Sequence, residues 1–172
     1  MSDALETSAP VLVLGLGNLL LHDDAVGLRL LAELRARHRD DPRIEFVDGG
    51  TQGIALLARL QGRRALLVLD AVQRGAPAGA VHRIDDALHT LPAGHGGAPG
   101  GAHQVNAGDL LLAARLVGDL PARVAVCGVE PAVVRTGIGL TPAVAAALPR
   151  ALQFADELLG DLLSAEVEPC TN

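Results

Sequence analysis

The sequence predicts an α/β fold: three layers, α-β-α, with a twisted, mostly parallel five-stranded sheet and helices on both faces. Three observations carry this. Nearly uninterrupted runs of Val, Leu and Ala recur at Val11–Leu16, Ala65–Leu69 and Ala122–Val129, the pattern of strands covered on both faces. Stretches of helical periodicity lie between them, so strand and helix alternate along the chain. About half the residues are apolar, yet Phe46 and Phe154 are the only aromatics. Leu, Val and Ala must therefore fill the core, which suits a parallel sheet under helices. At 172 residues one domain is expected over 10–164, with 1–9 a loose lead and 165–172 a flexible tail.

The elements follow in order. Strand one, 11–16, passes through Gly15, Gly17 and Asn18, a tight turn. Helix one spans about 25–38, with Asp23 as its expected N-cap and Asp24 left free to point into the cleft. Arg43–Val47 reads as strand two, ending at the turn Asp48-Gly49-Gly50-Thr51. A short helix follows from Gly53 to Gln61. Strand three is Ala65–Leu69, apolar throughout and hence central, stopping at Asp70. Ala80–Ile84 carries His82 and Arg83, and its polarity places it at a sheet edge.

The segment Asp85–Gln104 is a long glycine-rich loop holding His89, His95 and His103, of a length that suggests function. Asn106 caps a helix to about Leu116, with Asp109 in its first turn. After the last strand, Thr141-Pro142 opens a helix toward Leu163, which Pro149 should kink.

Composition excludes several classes. The formal charge of −6 argues against a nucleic-acid backbone as partner. The first residues form no signal peptide and no apolar run reaches ~18 residues, so no membrane insertion is expected and the protein is placed in the cytoplasm. Cys127, in an apolar run, and Cys170, in the tail, read as reduced thiols, Cys127 as a small core residue. Dinucleotide binding fails at the third glycine of its fingerprint: after Gly15 and Gly17 the position is Leu20. Asp23 and Asp24 would also repel a pyrophosphate at that turn.

What the turn offers is acidic oxygen. Asp24 lies beyond strand one, Asp48 after strand two and Asp70 after strand three. On neighbouring parallel strands these fall on one rim, where ligands bind in open α/β sheets. Crowded like charges repel, and the chain has no lysine to offset them, so a cation is a serious candidate. Of the six histidines, His38 reads as structural at a helix end and His82 as a strand surface residue. His103, just before a helix, is favoured as a nitrogen ligand. Two carboxylates and an imidazole with an open position suit zinc or nickel. The HExxH protease signature is absent.

Five segments in this order, GLGNLLLHDDAVG (15–27), DGGT (48–51), LLVLDAV (66–72), AHQ (102–104) and GLTPAVAAALP (139–149), resemble the hydrogenase maturation endopeptidases, over about residues 11–160. The resemblance implies a five-stranded α/β fold and metal-contacting positions at Asp24, Asp70 and His103. It implies an endopeptidase that senses nickel already inserted in the precursor of a nickel–iron hydrogenase large subunit. The enzyme then removes a short C-terminal peptide, letting the active site close. Nickel would arrive with that substrate and be held only weakly by the free enzyme, expected to be a monomer. Asp48, Gly49, Gly50 and Gln104 would shape the cleft. Asp24 and Asp70 would carry catalysis, through a metal-bound water or as general base on an ordinary one; both readings stand at this stage. Relatives often carry glycine where this chain has Asn106, a departure that spares the ligands.

Two other functions compete. A nickel-dependent assembly scaffold could use the same ligands without cutting. Peptidyl-tRNA hydrolases also open with a strand and GLGN, but their following proline–glycine pair and Thr-Arg-His-Asn tetrapeptide are missing here.

Overall fold

The computed structural model describes residues 9–85 and 106–164. The loop expected at 85–104 falls almost wholly outside the described residues, as do His103, Gln104 and both chain ends. The strands are β1 (Val11–Leu16), β2 (Ile44–Gly50), β3 (Ala65–Ala71), β4 (Val81–Ile84) and β5 (Arg123–Val129). The helices are α1 (Val26–Arg37), the single turn α2 (Leu57–Leu60), α3 (Ala107–Val117) and α4 (Pro142–Ser164). Short 3₁₀ turns at His22–Ala25 and Gly53–Leu56 lead into α1 and α2.

The sheet order is β2-β1-β3-β5-β4. Four strands are parallel and β4 runs antiparallel along β5 at the edge, as its polar residues predicted. Alternate residues of the central strands feed two cores. Val13, Leu67, Leu69 and Cys127 pack with Leu30 and Leu34 of α1 and Leu158 and Leu159 of α4. Leu14, Leu66, Val68 and Val126 pack with Leu60 of α2 and Leu110 and Leu111 of α3. Burial pushes the Cys127 thiol up to about 12, so it is an inert core residue.

The strands run further than expected. β2 takes in Asp48, Gly49 and Gly50, because Gly15 pairs with Asp48 and Leu16 with Gly50 across a bulge. β3 includes Asp70, paired with Gly128 of β5. The N-cap predicted for α3 is present, and the structure adds a C-terminal cap. Asn106 accepts the Asp109 N–H at 2.9 Å, and Gly118 closes the helix in the left-handed conformation. α4 starts at Pro142 and continues through Pro149 to Ser164.

Helix α1 sits against the sheet through Gly27. A β-carbon there would lie 2.3 Å from the Leu69 carbonyl oxygen and 2.4 Å from that of Leu16. The start of α1 is thereby seated directly on the carboxyl ends of β1 and β3. The sequence reading sought this close approach at the third fingerprint position; it is supplied by the second residue of the helix instead.

Candidate active site

The strand order reverses between β1 and β3: the chain leaves β1 for β2 on one side and resumes at β3 on the other. Such a point opens a crevice at the carboxyl ends of the two strands. Asp24 follows β1 and Asp70 closes β3, so the two carboxylates flank that crevice. They are close enough for the charge of Asp24 to raise Asp70.

Backbone geometry holds Asp24 there. Gly17 has φ +128, and a β-carbon on it would fall 1.9 Å from the Asp24 carbonyl oxygen. Only glycine allows the strand end and the 3₁₀ turn to approach so closely. The Gly17 N–H is taken by the Gly50 carbonyl at 3.2 Å, and the Asp24 N–H by Leu21 at 3.2 Å. Burial raises Asp24, opposed by a hydrogen bond from the Asn18 backbone. Its Oδ2 is buried without a hydrogen-bond partner among the described residues, an acceptor left open beside the crevice.

Asp70 is 4% exposed. Its Oδ2 accepts the Ala107 N–H, the first of α3, at 3.1 Å. Burial, with the nearby charge of Asp24, pushes it up to about 7, against the opposing hydrogen bonds from Ala107 and Ala71. A carboxyl titrating there can take or give a proton at neutral pH.

Asp23 corrects the sequence reading. It does not cap α1, which has Ala25 at its N-cap position and no side-chain cap. Instead Asp23 is buried and reaches the chain segment between β5 and α4. It accepts from the backbone N–H groups of Ala132 (2.9 Å), Val133 (2.9 Å) and Thr141 (2.7 Å), and from the Thr141 hydroxyl (2.9 Å). Burial alone would raise its carboxyl; these four donors outweigh it and hold the group below the ordinary range. Two adjacent aspartates thus face opposite duties, and the residue before them makes the turn. His22 has φ +49, rare for a non-glycine residue, and its Nδ1 lies 3.0 Å from the Gly139 carbonyl oxygen.

Sequence reasoning passed over Glu130. It is buried at the end of β5 and accepts from the backbone of Arg74 and Gly75 and from His82 Nε2 at 3.0 Å. His82 is thus partnered and half-buried rather than a free surface residue; the one clue in the sequence was an acid ending an apolar run. His38 is structural as expected, bonded to Asp156 of α4 at 2.5 Å. Asp48 is exposed on β2, while Gly49 beside it is buried against Leu14, Leu16 and Leu56. Gly50 reaches the crevice through its bond to Gly17. Among the described residues no group of three or more His, Cys, Asp or Glu side chains is placed to hold a metal; His103 is not among them.

A family model described as hydrogenase maturation protease matches residues 28–157. The chain belongs to the hydrogenase maturation protease family. The Hydrogenase 2 maturation protease of Escherichia coli K12 is 34% identical over 145 residues, 83% of this chain and 86% of that protein. The hydrogenase expression/formation protein HupD of Thiocapsa roseopersicina is 32% identical over 156 residues, 90% of this chain and 70% of its own length. The solved structure of the hydrogenase maturating endopeptidase HybD from E. coli superposes with a TM-score of 0.74 at 33% identity, covering 88% of this chain and 92% of that one. This hydrogenase maturation protease is accordingly a peptidase with the family's five-stranded α/β fold. Among its described residues no helix is long and apolar enough to cross a membrane.

Proposed function

We propose that the enzyme removes a short C-terminal peptide from the precursor of a nickel–iron hydrogenase large subunit, and that it reads the nickel already seated in that precursor. The observation that carries this is the Asp24–Asp70 pair, two under-hydrogen-bonded carboxylates held together at the switch point, one with an open oxygen. Two oxygens that repel each other favour a cation brought between them. A substrate-borne nickel ion supplies that positive charge and presents the precursor in one orientation. His103 would add the imidazole: it lies four residues before Ala107, whose N–H bonds Asp70. Four residues span at most about 14 Å, within reach of the crevice.

In this reading Asp70 accepts a proton from the attacking water and returns it to the leaving amine, work for which its raised affinity for protons suits it. Asp24 holds the cation side of the site through its open oxygen. Gly49 and Gly50 set the backbone of the turn that carries Asp24; Asp48 and Gln104 border the cleft.

Incubating the enzyme with nickel-loaded and nickel-free precursor tests the proposal. A shift to the shorter product only with nickel is expected. Cleavage of both forms alike would remove the sensing role. Stable binding without a shift would favour a scaffold.

A further inference from the structure

The crevice has an apolar lip. Leu19, Leu20, Val134 and Ile138 are all exposed, Leu20 by 60% and Ile138 by 80%. They come from two segments far apart in sequence that are tied together. The Gly137 N–H bonds the Leu20 carbonyl and the His22 N–H bonds the Gly137 carbonyl, each at 2.9 Å. Leu21 and Gly137 form a parallel bridge. A β-carbon on Gly137 would lie 1.9 Å from His22 Nε2, so the imidazole rests directly on that glycine. The Leu19-Leu20 turn is closed by Asn18, whose side chain accepts the Leu20 N–H at 2.9 Å. The Asn18 backbone in turn bonds the Asp24 carboxylate.

Apolar side chains on a hydrogen-bonded, pre-shaped backbone are what a binding surface needs: they lose little freedom on contact and gain from leaving water. Here the surface adjoins a carboxylate of the candidate catalytic pair in a peptidase, whose cleft must receive a polypeptide.

We infer that Leu19, Leu20, Val134 and Ile138 form a docking surface for an apolar segment of the protein substrate, next to the bond that is cut. The inference rests on the proposed function. It assigns the occupant by continuity with the cleft: a partner lying across Asp24 must also lie across this lip. The exposed apolar residues of α3, Leu112, Leu116 and Val117, lack that continuity. Leu116 stands near the far end of a helix whose first N–H meets Asp70.

The test measures cleavage of nickel-loaded precursor by the wild type, by L20S, by I138S, by the double variant and by L116S as a control. All three residues changed are exposed, so folding should be unaffected, which circular dichroism checks. The expected result is a rise in KM of about tenfold for each single lip variant, more for the double, with kcat unchanged and L116S like the wild type. Unchanged KM in the double variant beside an active wild type would overturn the docking surface and leave the proposed function standing. An equal rise in L116S would overturn it too, as would a wild-type dimer that the double variant abolishes, since a second copy would then be the occupant. An inactive wild type on loaded precursor would overturn both readings.

Discussion

Asp23 and Glu130 differ from Asp24 and Asp70 in the number of donors that meet them to offset burial. All four are acids on loops or strand ends at the same rim of the sheet. Asp23 receives four hydrogen bonds and Glu130 is met by three backbone N–H groups, of Arg74, Gly75 and Ala76, and an imidazole. Both are held below the ordinary carboxylate range despite burial. Among the described residues Asp24 has an oxygen with no partner, Asp70 has two backbone donors and a charged neighbour, and both are raised. Saturated acids tie loops together; starved acids are costly to the fold and available for chemistry.

The largest effect should come from the starved pair. Asp24→Asn and Asp70→Asn should each lower precursor cleavage by at least 10²-fold, the scale of losing a general base or its partner. Yet Asp70→Asn should be as stable as the wild type or more so, since asparagine keeps an acceptor for Ala107 and removes a buried charge. The pH dependence has a definite sign. Asp70 binds its proton more tightly folded than unfolded. Its contribution is therefore most favourable below the unfolded value of about 3.9 and is lost as pH rises through about 7. The full difference corresponds to about 4 kcal/mol. Denaturation at several pH values should show this slope in the wild type and its loss in Asp70→Asn. A wild type that instead lost stability relative to Asp70→Asn toward acid would place Asp70 among the saturated acids, and identical slopes would show that its proton affinity does not change on folding.

Asp23 sharpens the comparison from the other side. Asp23→Ala leaves three backbone N–H groups and the Thr141 hydroxyl without their acceptor. Buried donors left bare cost about 1–3 kcal/mol each when water cannot reach them; with partial hydration of this loop, a loss of about 3 kcal/mol overall is expected. Thermal melting should fall by about 10 °C. Cleavage per folded molecule should drop far less than in Asp24→Asn. A variant that melts like the wild type but no longer cuts would reverse the roles of the neighbouring aspartates.

Those neighbours also show how much could be read from the chain. The sheet was legible because apolar runs such as Ala65–Leu69 admit few alternatives, and β4 declared its edge position through His82 and Arg83. Asp70 was legible as an acid closing a central strand. The division of labour between Asp23 and Asp24 was only half legible. That Asp24 is the free member followed from giving Asp23 a local cap, but the true partners of Asp23 lie more than a hundred residues away. Propensity sees helix starts; it does not see a loop arriving from after β5. Gly27 was hidden for the same reason, since its role depends on carbonyls of two strands meeting one helix.

Glu130 gives the smallest effect and the finest test of the contrast. In Glu130→Gln one oxygen remains to accept from Arg74 or Gly75, while the new amide faces the imidazole, which can present a lone pair from Nε2. Most of the bonding can be rebuilt, so the loss at pH 7 should be about 1 kcal/mol, with cleavage within about twofold of the wild type. Burial opposes the charge of Glu130, but the Arg74, His82 and Gly75 bonds outweigh it and lower the folded value. Its stabilisation is thus present above the unfolded value of about 4.3 and is lost as pH falls through the lower, folded one. Denaturation curves of the two proteins should therefore differ at pH 7 and converge on acidification, the opposite trend to Asp70. If the gap instead widened toward acid, Glu130 would be a starved acid like Asp70, and counting donors would no longer distinguish the acids that hold the rim from those that work in it.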